Sequence, residues 1–341
     1  MSTLTPVLNE ERHIRSVVAD LRAQDIAGEA EFIFIDGRST DRTRAILDEL
    51  KAEDDRIRVL HNPQRQTAAA LNIGLRAARG DYVARIDGHS RYPTHYLSRG
   101  IERLRRGDVD WVAGPQAPVG HGRWSTLVAL ALGTPLATGA SRRWESDVAA
   151  QGGKEVELGT GVFTGIWRRA TLDAEGGWDE GWPVNQDSEM AARVLRRGGR
   201  IVSLPELAAR YTPRDSLLAL ARQYRRYGTY RAKTALRHPW TVRPPHLLSP
   251  ALVLAAASAA AFHGRAGRVA RGALGAYLAG VLLQSARTTR DLRDTVGLVA
   301  VFATMHASWG AGFLLGLARF ASPATRQPAL AVDLYQRVGG R

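Results

Sequence analysis

Two apolar stretches near the start of the sequence end in an aspartate. Asp36 closes the stretch FIFID, and Asp87 closes YVARID and is followed, after one glycine, by His89. A carboxylate with an imidazole two residues further on can form a metal site or a catalytic pair, or can lie in an ordinary loop. The chain has no cysteine, which excludes disulfides, thiolate metal sites and thiol nucleophiles. Any metal ion must therefore be held by oxygen or imidazole ligands.

The elements that must position these acids are short strands that alternate with amphipathic helices over residues 1–95. STLTPVL, AEFIFID, IRVLHN and DYVARID are predicted strands, and EERHIRSVVADLRAQ, TDRTRAILDELKAED and QTAAALNIGLRAARG are predicted helices. This alternation predicts an α/β fold with a parallel sheet and helices on both faces. Ligands of such sheets bind at the carboxyl ends of the strands. We expect Asp36 and Asp87 to be the last residues of two strands at that edge.

Residues 96–212 carry a more mixed pattern. DVDWVAGP and GRIVSLPE are predicted strands, LGTGVFTGIW is predicted to be a loop that runs into a strand, and DSEMAARVLRRGG is predicted to be a helix ended by glycine. A basic helix is predicted over residues 214–237. The proline-rich stretch HPWTVRPPHLLSP then interrupts the pattern, and the composition changes.

Three apolar segments follow from about residue 246. The third, TVGLVAVFATMHASWGAGFLLGLA, is long enough to cross a hydrocarbon core of ~30 Å, whereas HLLSPALVLAAASAAAF is at the lower limit and GALGAYLAGVLLQSA is too short. Arginines occupy both connecting loops, which conflicts with the preference of basic residues for the cytoplasmic side if all three segments cross. We therefore expect at least one segment to be re-entrant or interfacial. A soluble helical subdomain is the alternative.

The charge of the chain points to an anionic partner. The formal net charge is +14, which implies attraction to nucleic acid, anionic lipid or phosphorylated substrates. The N-terminus lacks the basic residues and apolar run of a cleavable signal peptide, so we expect the N-terminal part to stay in the cytoplasm.

Four ordered motifs over residues 1–230 resemble those of the family 2 glycosyltransferases. TPVLNEE and DGRSTDRT are similar to the family's PxxNEE and DDGSTDxT opening. NPQRQTAAALNIGLRAARGDYVARIDGHSRYP resembles the stretch that ends in the D-x-D motif, and LGTGVFTGIWRRATLDAEGGWDEGWPVNQDSEMAARVLRRGGRI resembles the stretch that contains GGFDE and the E-D acid. The D-x-H form at Asp87 is similar to the branch that builds succinoglycan-type exopolysaccharides, whose members end in apolar helices.

The resemblance assigns residues to the donor side of a site. It implies that Pro6, Glu10 and Asp36 surround the nucleotide, and that Asp87 approaches the sugar-nucleotide diphosphate and a divalent ion, Mg²⁺ or Mn²⁺. His89 stands where the family carries a second carboxylate. Imidazole suits Mn²⁺ better than Mg²⁺, so His89 is interpreted as a metal ligand, as a contact to phosphate or sugar, or as a loop residue.

The resemblance also implies an acceptor side. Asp187 occupies the position of the E-D acid, with Gln186 in place of the glutamate, and is the expected general base of an inverting transfer; a helix cap is the alternative. Gly161 would allow close approach of donor or acceptor, and Trp178 would pack or form an acceptor-site wall. Three residues of the basic helix have the spacing of the Q-x-x-R-W motif and would close the site or, with the other basic residues, dock on a membrane: Gln223, Arg226 and Tyr227.

Together these features predict a GT-A fold, a Rossmann-like mixed sheet flanked by helices, with a C-terminal apolar helical membrane segment. The expected divisions are a catalytic domain at 1–212, a basic interface helix and linker at 213–243, a membrane-associated region at 244–320 and a tail at 321–341. The expected activity is transfer of a sugar from a UDP-linked donor to a lipid-linked glycan or polysaccharide at the cytoplasmic face of the inner membrane. The alternatives are a sugar-phosphate nucleotidyltransferase, disfavoured by the acidic TPVLNEE loop, and a nucleic-acid-binding protein, disfavoured by the acids at the strand ends.

Overall fold

Eight strands form one mixed sheet in the computed structural model, which describes residues 1–26, 28–139, 144, 154–322 and 325. The strand order is β3-β2-β1-β4-β9-β6-β10-β8, and a small sheet has the order β5-β11-β7. The strands are β1 (Ser2–Val7), β2 (Glu31–Asp36), β3 (Ile57–His61), β4 (Tyr82–Arg85), β5 (Ser90–Arg91), β6 (Trp111–Ala113), β7 (Gln116–Pro118), β8 (Val156–Glu157), β9 (Gly165–Arg168), β10 (Ile201–Ser203) and β11 (Ala209–Tyr211).

The first four strands of the large sheet run parallel, as their sequence pattern predicts. β9 is antiparallel to both β4 and β6, and β8 is antiparallel to β10, so the sheet is mixed. Alternate residues of β2 enter two different cores: Phe32 and Phe34 lie in one, and Ile33 and Ile35 lie in the other. Helices therefore cover both faces of the sheet, as in other α/β folds with buried parallel strands.

Eight α-helices lie among the described residues up to residue 211. They are α1 (Ile14–Arg22), α2 (Thr43–Glu53), α3 (Thr67–Ala77), α4 (Tyr96–Arg105), α5 (Arg123–Leu132), α6 (Pro135–Thr138) and α7 (Arg169–Ala174), and an eighth helix, α8 (Gln186–Arg196), precedes β10. In α1 the buried residues Ile14, Val17, Val18 and Leu21 recur at helical spacing and form the stripe that packs in the first core. The predicted N-terminal strands and helices are thus confirmed, with ends shifted by a few residues.

Asp36 and Asp87 differ in their relation to the strands. Asp36 is the last residue of β2, as predicted, but β4 ends at Arg85, so Asp87 lies two residues beyond the strand. The amide of Ile86 still donates to Leu4 O at 2.9 Å, whereas the amide of Asp87 donates to the hydroxyl of Tyr92 at 3.0 Å. The backbone leaves the sheet at Asp87 because its hydrogen-bond partner is a side chain and not a neighbouring strand.

The described residues divide into two units, and the chain passes from one unit to the other after residue 117 and again after residue 211. One unit holds 1–117 and 154–211, and the other holds 118–139, 144 and 212–322 with 325. Helices α5 and α6 therefore belong with the C-terminal helices, although the sequence places them inside the expected catalytic domain. Apart from residues 321, 322 and 325, the predicted tail lies outside the described residues.

Four long helices make up most of the second unit. They are α9 (Leu217–Arg237), α10 (Pro245–Ala261), α11 (Arg265–Thr288) and α12 (Leu292–Arg319), and a short 3₁₀ turn, Pro239–Thr241, joins α9 to α10. The predicted apolar segments are confirmed as helices, but α11 begins seven residues before the apolar stretch that starts at Gly272. The guanidinium of Arg271 donates to the carbonyls of Ala259 and Phe262, so one arginine of the predicted loop lies inside the helix and caps the helix before it.

Helix α12 packs against α9 at backbone distance. A Cβ atom added to Gly312 would lie 2.1 Å from the carbonyl oxygen of Arg225, one added to Gly316 would lie 2.3 Å from that of Thr229, and one added to Gly228 would lie 2.0 Å from that of Trp309. Only residues without a side chain permit this approach. The three glycines therefore fix the contact between the basic helix and the apolar one.

This packing predicts opposite effects of the same substitution at two helical glycines. Gly312→Ala should lower the free energy of unfolding of the second unit by about 1–3 kcal/mol, because the new methyl group meets the α9 backbone. Gly280→Ala on α11 is the matched control, since nothing lies within 4 Å of the added Cβ and alanine favours a helix by up to about 1 kcal/mol. Thermal unfolding in detergent measures both, and equal stability of the two variants would contradict the close packing.

Candidate functional site

The loops after β1 and β2 are joined by hydrogen bonds between their motifs. Asn9 has a left-handed backbone, with φ 58°, and its side-chain oxygen accepts from the amide of Thr40 at 2.8 Å. The amide of Asn9 donates to Ser39 Oγ at 3.0 Å, and that of Glu10 donates to Thr43 Oγ1 at 2.7 Å. The asparagine and the hydroxyl residues of the two motifs are therefore used to hold the loops together.

Asp41 completes this junction with a carboxylate. Its Oδ2 accepts from the amide of Glu11 at 3.1 Å and its Oδ1 from the amide of Thr43 at 2.9 Å, while Glu11 accepts in return from the amide of Arg42 at 3.0 Å. Burial favours the neutral acid, but the hydrogen bonds from Thr43 and Glu11 outweigh it and lower the pKa of Asp41. The stabilisation is therefore present above the ordinary pKa of an aspartate and is lost as the pH falls through the lowered value.

Asp36 is held in the turn that follows β2. Its side chain is buried, and Oδ1 accepts from the amide of Ser39 at 3.1 Å and from its hydroxyl at 2.6 Å. Arg38 takes the left-handed backbone that this tight turn requires, with φ 61°. Asp36 pairs in register with Val7 of β1, so its carboxylate lies at the edge of the sheet where β1 ends.

Asp87 is paired with a buried arginine. Both Nε and Nη2 of Arg85 approach Oδ1 of Asp87, at 3.0 and 2.9 Å, and the guanidinium is 7% exposed. Burial disfavours the charged form, but Asp87 and then Asp187 outweigh it, so the pKa of Arg85 lies above its usual value. The guanidinium is therefore electrostatically coupled to both carboxylates.

His89 and Glu10 meet beside Asp87. His89 Nδ1 lies 3.0 Å from Glu10 Oε1, and the imidazole is half exposed. Gly88 brings this loop against β1: an added Cβ would lie 3.2 Å from Val7 Cγ1, 3.3 Å from Glu10 Cγ and 3.5 Å from Pro6 O. The structure thus brings the predicted donor residues Pro6, Glu10 and His89 together.

Asp187 lies in the first turn of α8. Asn185 caps the helix in a left-handed conformation, φ 61°, and Gly161 packs on the other side, where an added Cβ would lie 2.2 Å from Asp187 O. Gly161 is buried, and its missing side chain permits the close approach of the Asp187 backbone. The predicted approach of donor or acceptor to Gly161 stays a prediction.

Trp178 lies in the core. Its side chain is 1% exposed and its ring meets Trp167 edge-on, with the centroids 5.7 Å apart. Of the two predicted interpretations, packing is therefore correct and an acceptor-site wall is wrong, since a ring buried in this way presents no surface to a sugar.

Asn72 is a residue whose importance the sequence did not reveal. From α3 its amide donates to Trp178 O at 2.8 Å and to Glu180 Oε1 at 2.9 Å, and its oxygen accepts from the amide of Trp178 at 2.8 Å. Gly177, with φ 74°, leaves the room that this amide needs, because an added Cβ would lie 2.5 Å from Asn72 Oδ1. Asn72 therefore anchors the loop that leads to Asp187, and a polar residue on the apolar face of α3 was the available signal.

The predicted closure residues belong to the second unit. Gln223, Arg226 and Tyr227 lie on α9, and Gln223 Nε2 donates to Tyr227 Oη at 2.9 Å. Gln223 and Tyr227 therefore share one face of the helix, as their spacing predicts. Arg226 is exposed.

The donor side offers two ligands for a divalent ion. Asp87 could supply a carboxylate, of which the arginine contacts engage only Oδ1, and His89 could supply an imidazole whose Nδ1 faces Glu10. No cluster of three or more acidic or histidine side chains arranged for a metal occurs within the described part of the chain. This set fits a cation that takes one or two protein ligands and completes its coordination with substrate phosphates.

The sequence is similar to a family model and to known proteins. The family model described as glycosyl transferase family 2 matches residues 2–171. The succinoglycan biosynthesis protein ExoA of Rhizobium meliloti (strain 1021) is 32% identical over 314 residues, which are 90% of this chain and 92% of that protein. A dolichyl N-acetyl-alpha-D-glucosaminyl phosphate 3-beta-D-2,3-diacetamido-2,3-dideoxy-beta-D-glucuronosyltransferase of Methanococcus voltae is 24% identical, over 67% of this chain and 71% of that one.

A solved structure shares the fold. A mannosyltransferase from Pyrobaculum calidifontis, in complex with GDP-Man and Mn²⁺, aligns with a TM-score of 0.53 and 19% sequence identity. The alignment covers 89% of this chain and 86% of that one. At this identity the likeness shows the fold alone, which is the predicted GT-A type.

The anchoring role of Asn72 predicts a specific order of stabilities. Asn72→Ala should lower the free energy of unfolding of the first unit by about 1–3 kcal/mol, because it leaves the backbone groups of Trp178 buried without a partner. Asn72→Asp should be no better, since a carboxylate would face Trp178 O and Glu180 in place of a donor. Gln64→Ala, at an exposed position, is the control in chemical denaturation, and wild-type stability of Asn72→Asp would contradict the assigned hydrogen bonds.

Proposed function

The chain belongs to glycosyl transferase family 2, and from this premise we propose that it transfers a sugar from a UDP-linked donor, with inversion, to a lipid-linked glycan or polysaccharide at the cytoplasmic face of the inner membrane. The observation that carries the proposal is the buried guanidinium of Arg85, which is coupled to both Asp87 and Asp187. One guanidinium thus interacts with the carboxylate proposed for the donor side, Asp87, and with the one proposed for the acceptor side, Asp187. The relative from Rhizobium meliloti, named for succinoglycan biosynthesis, supports a polysaccharide or its lipid-linked precursor as the acceptor.

The nucleotide would lie along the carboxyl edge of β1 and β2. Asp36 is fixed by Ser39 through one of its oxygens, so the other is available for a base or ribose hydroxyl. Pro6 and Glu10 would line the same region. The hydrogen-bonded junction of the two loops supports this role, because it holds the acidic residues in place before a ligand arrives.

Asp87 and His89 would hold the divalent cation, Mg²⁺ or Mn²⁺. When bound, the cation neutralises charge on the diphosphate leaving group. The residues of the chain then have to orient the donor. Arg85 keeps the Asp87 carboxylate in one position, and Glu10 orients the imidazole of His89 through Nδ1.

Asp187 would act as the general base. The acceptor hydroxyl oxygen attacks C1 of the donor sugar, its proton passes to the Asp187 carboxylate, and the bond from C1 to the diphosphate oxygen breaks as the new bond forms. One displacement of this kind inverts the anomeric centre. Asp187 lies in the first turn of α8, and a carboxylate is a group that can accept the proton of a sugar hydroxyl.

The second unit would supply the membrane and acceptor side. Among the described residues, one helix, α12, is long and apolar enough to cross a membrane. Gln223, Arg226 and Tyr227 lie on α9 with the spacing of the Q-x-x-R-W motif, and exposed basic residues of α9 would face anionic lipid. Two of the basic residues expected on that surface are buried: Arg231 bonds Thr241 Oγ1 at 3.1 Å, and Lys233 lies over the ring of Phe320. Arg222, Arg225 and Arg226 remain exposed.

Membership of the family decides against the nucleotidyltransferase alternative. We also propose no nucleic-acid partner, because the acids at the strand ends would repel a phosphate backbone.

A donor screen tests the activity. UDP, GDP and dTDP sugars, each with Mg²⁺ or Mn²⁺, should reveal one nucleotide class whose hydrolysis is slow, dependent on the cation and lost in Asp87→Asn. The amide of that variant keeps the shape of the side chain but weakens both the pair with Arg85 and any cation contact. Absence of hydrolysis and of binding for every nucleotide, with the protein folded by circular dichroism, would count against the proposal.

Asp187→Asn tests the base. We expect kcat to fall about 10²–10⁴-fold with an unchanged donor dissociation constant, because an amide occupies the same space but accepts no proton. Asp173→Asn, an exposed acid on α7, is the matched control and should retain full activity. Transfer by Asp187→Asn at the wild-type rate would remove the assignment while leaving the family and the fold untouched.

A further inference from the structure

Among the described residues, the one helix that is long and apolar enough to cross a membrane, α12, lies against a helix rich in arginine, α9. In the C-terminal half of α12, Gly312 and Gly316 contact the α9 backbone at Arg225 and Thr229, and Trp309 O contacts Gly228 of α9. The two helices are therefore in contact over two turns. Any placement of this half of α12 in the membrane also places this part of α9 there.

Helix α9 cannot lie in hydrocarbon. Arg222, Arg225 and Arg226 are exposed on it, at the level of the contact with Gly312. Charged groups at the depth of the acyl chains are strongly unfavourable unless they face a partner or water. The half of α12 that contacts α9 must therefore remain outside the bilayer core.

Part of the apolar surface of α12 is buried by protein contacts. Leu298, Val301, Phe302 and Met305 are fully buried, and Gly297 packs against Leu127 of α5. A core helix of a helical unit has the same composition as a membrane span. Protein contacts thus account for part of the hydropathy of α12, while Leu292, Val296 and Leu315 are more than half exposed.

The exposed apolar surface lies on the hairpin formed by α10 and α11. Large side chains on these helices and in their connection are at least half exposed: Leu248, Leu254, Phe262, Val269, Leu278 and Leu283. Helix α10 has 17 residues, about 25 Å, and contains Pro250, and the apolar stretch 272–286 of α11 is about 22 Å long. Both are shorter than the ~30 Å needed to cross a hydrocarbon core.

Arginines occupy both ends of α11. Arg265 and Arg268 lie at its start, and Arg287 and Arg290 lie at its end, and all four are exposed. If α11 crossed the membrane, the two pairs would face opposite compartments. If it lies in the plane of the interface, both pairs meet the headgroups of one leaflet.

We propose that the second unit binds a single leaflet of an anionic phospholipid membrane through the α10–α11 hairpin, and that no helix among the described residues crosses the bilayer. This rests on the membrane attachment stated in the proposed function and names its partner and geometry. The leucines of the hairpin enter the leaflet to the depth of the upper acyl chains, and the arginines at both ends of α11 contact lipid phosphates.

The absence of cysteine from the chain permits a direct test of topology. Four single-cysteine variants of the full chain, each at an exposed position, mark the sides: Ala45→Cys on α2 for the first unit, Gly264→Cys and Arg290→Cys for the two ends of α11, and Ser322→Cys beyond α12. A membrane-impermeant maleimide is applied to intact spheroplasts and to inverted vesicles, and labelling after detergent gives the total thiol.

One-leaflet binding predicts that all four cysteines label in inverted vesicles and that none labels in spheroplasts. Opposite accessibility of Gly264→Cys and Arg290→Cys would show that α11 crosses the membrane, and opposite accessibility of Arg290→Cys and Ser322→Cys would show that α12 crosses. Either result overturns the proposal while leaving membrane attachment and sugar transfer intact. Recovery of the protein in the soluble fraction without detergent or high salt would overturn attachment itself.

Vesicle flotation tests the lipid partner. The protein should float with vesicles of phosphatidylglycerol and phosphatidylethanolamine, and Leu278→Glu with Leu283→Glu should reduce flotation at least tenfold, whereas Val119→Glu, an exposed valine outside the hairpin, should not. Arg265→Gln and Arg268→Gln should each weaken binding about fivefold in low salt. Equal binding to vesicles of phosphatidylcholine alone, or wild-type flotation of the double glutamate variant, would refute the assigned surface.

Donor hydrolysis measured on the same variants separates this proposal from the function on which it rests. The hairpin and arginine variants should hydrolyse the nucleotide sugar in detergent at the wild-type rate. Normal membrane binding of these variants would refute the hairpin surface. Absence of donor hydrolysis by the wild-type protein would refute the proposed function, and the two results are independent. Loss of flotation with full hydrolysis supports the surface.

Discussion

The buried pairing of Arg85 with Asp87 is the interaction on which the candidate site depends. Acids gathered at one edge of a sheet repel one another, and burial would drive them toward the neutral form. A guanidinium stays charged in such surroundings and allows nearby carboxylates to remain ionised. Its position is fixed by the sheet, since Arg85 pairs with Leu4 on one side and with Gly165 on the other. The pairing of β4 between β1 and β9 thereby determines where the Arg85 guanidinium interacts with both Asp87 and Asp187.

Much of the first unit could be predicted from the sequence because its signals are local. Alternation of apolar strands with amphipathic helices gave the parallel strands, and the end of the FIFID stretch gave the position of Asp36. The same reading placed Asp87 at the end of a strand, although the chain leaves the sheet at Arg85. The Asp87 amide donates to the hydroxyl of Tyr92. Because this side chain lies in a later loop, the hydrophobic periodicity of the sequence does not indicate the bond. An arginine inside an apolar strand was nonetheless a signal, because such a group requires an acidic partner.

Contacts between distant segments account for what the sequence did not reveal. Asn72 and Trp178 are joined by two hydrogen bonds across more than a hundred residues, and neither the spacing nor the composition of α3 indicates that partner. Glycine is ambiguous for a similar reason. In the sequence Gly161 suggests room for a ligand, and in the structure the room is filled by the backbone at Asp187, just as Arg225 fills the space beside Gly312. A missing side chain shows that something approaches closely, and only the fold shows what it is.

The positive charge of the chain indicates a partner only after the basic residues used inside the protein are separated from the exposed ones. Arg85, Arg193, Arg231 and Lys233 are used inside the protein, where they satisfy carboxylates, carbonyls or an aromatic ring. The arginines at the ends of α11 have no such role, and they flank a surface of exposed leucines. A nucleic acid would require the charges without the leucines, whereas an anionic leaflet binds both. Net charge and hydropathy averaged over the chain hide this distinction. Each becomes informative only when the exposed residues are considered separately from those that are buried or paired inside the protein.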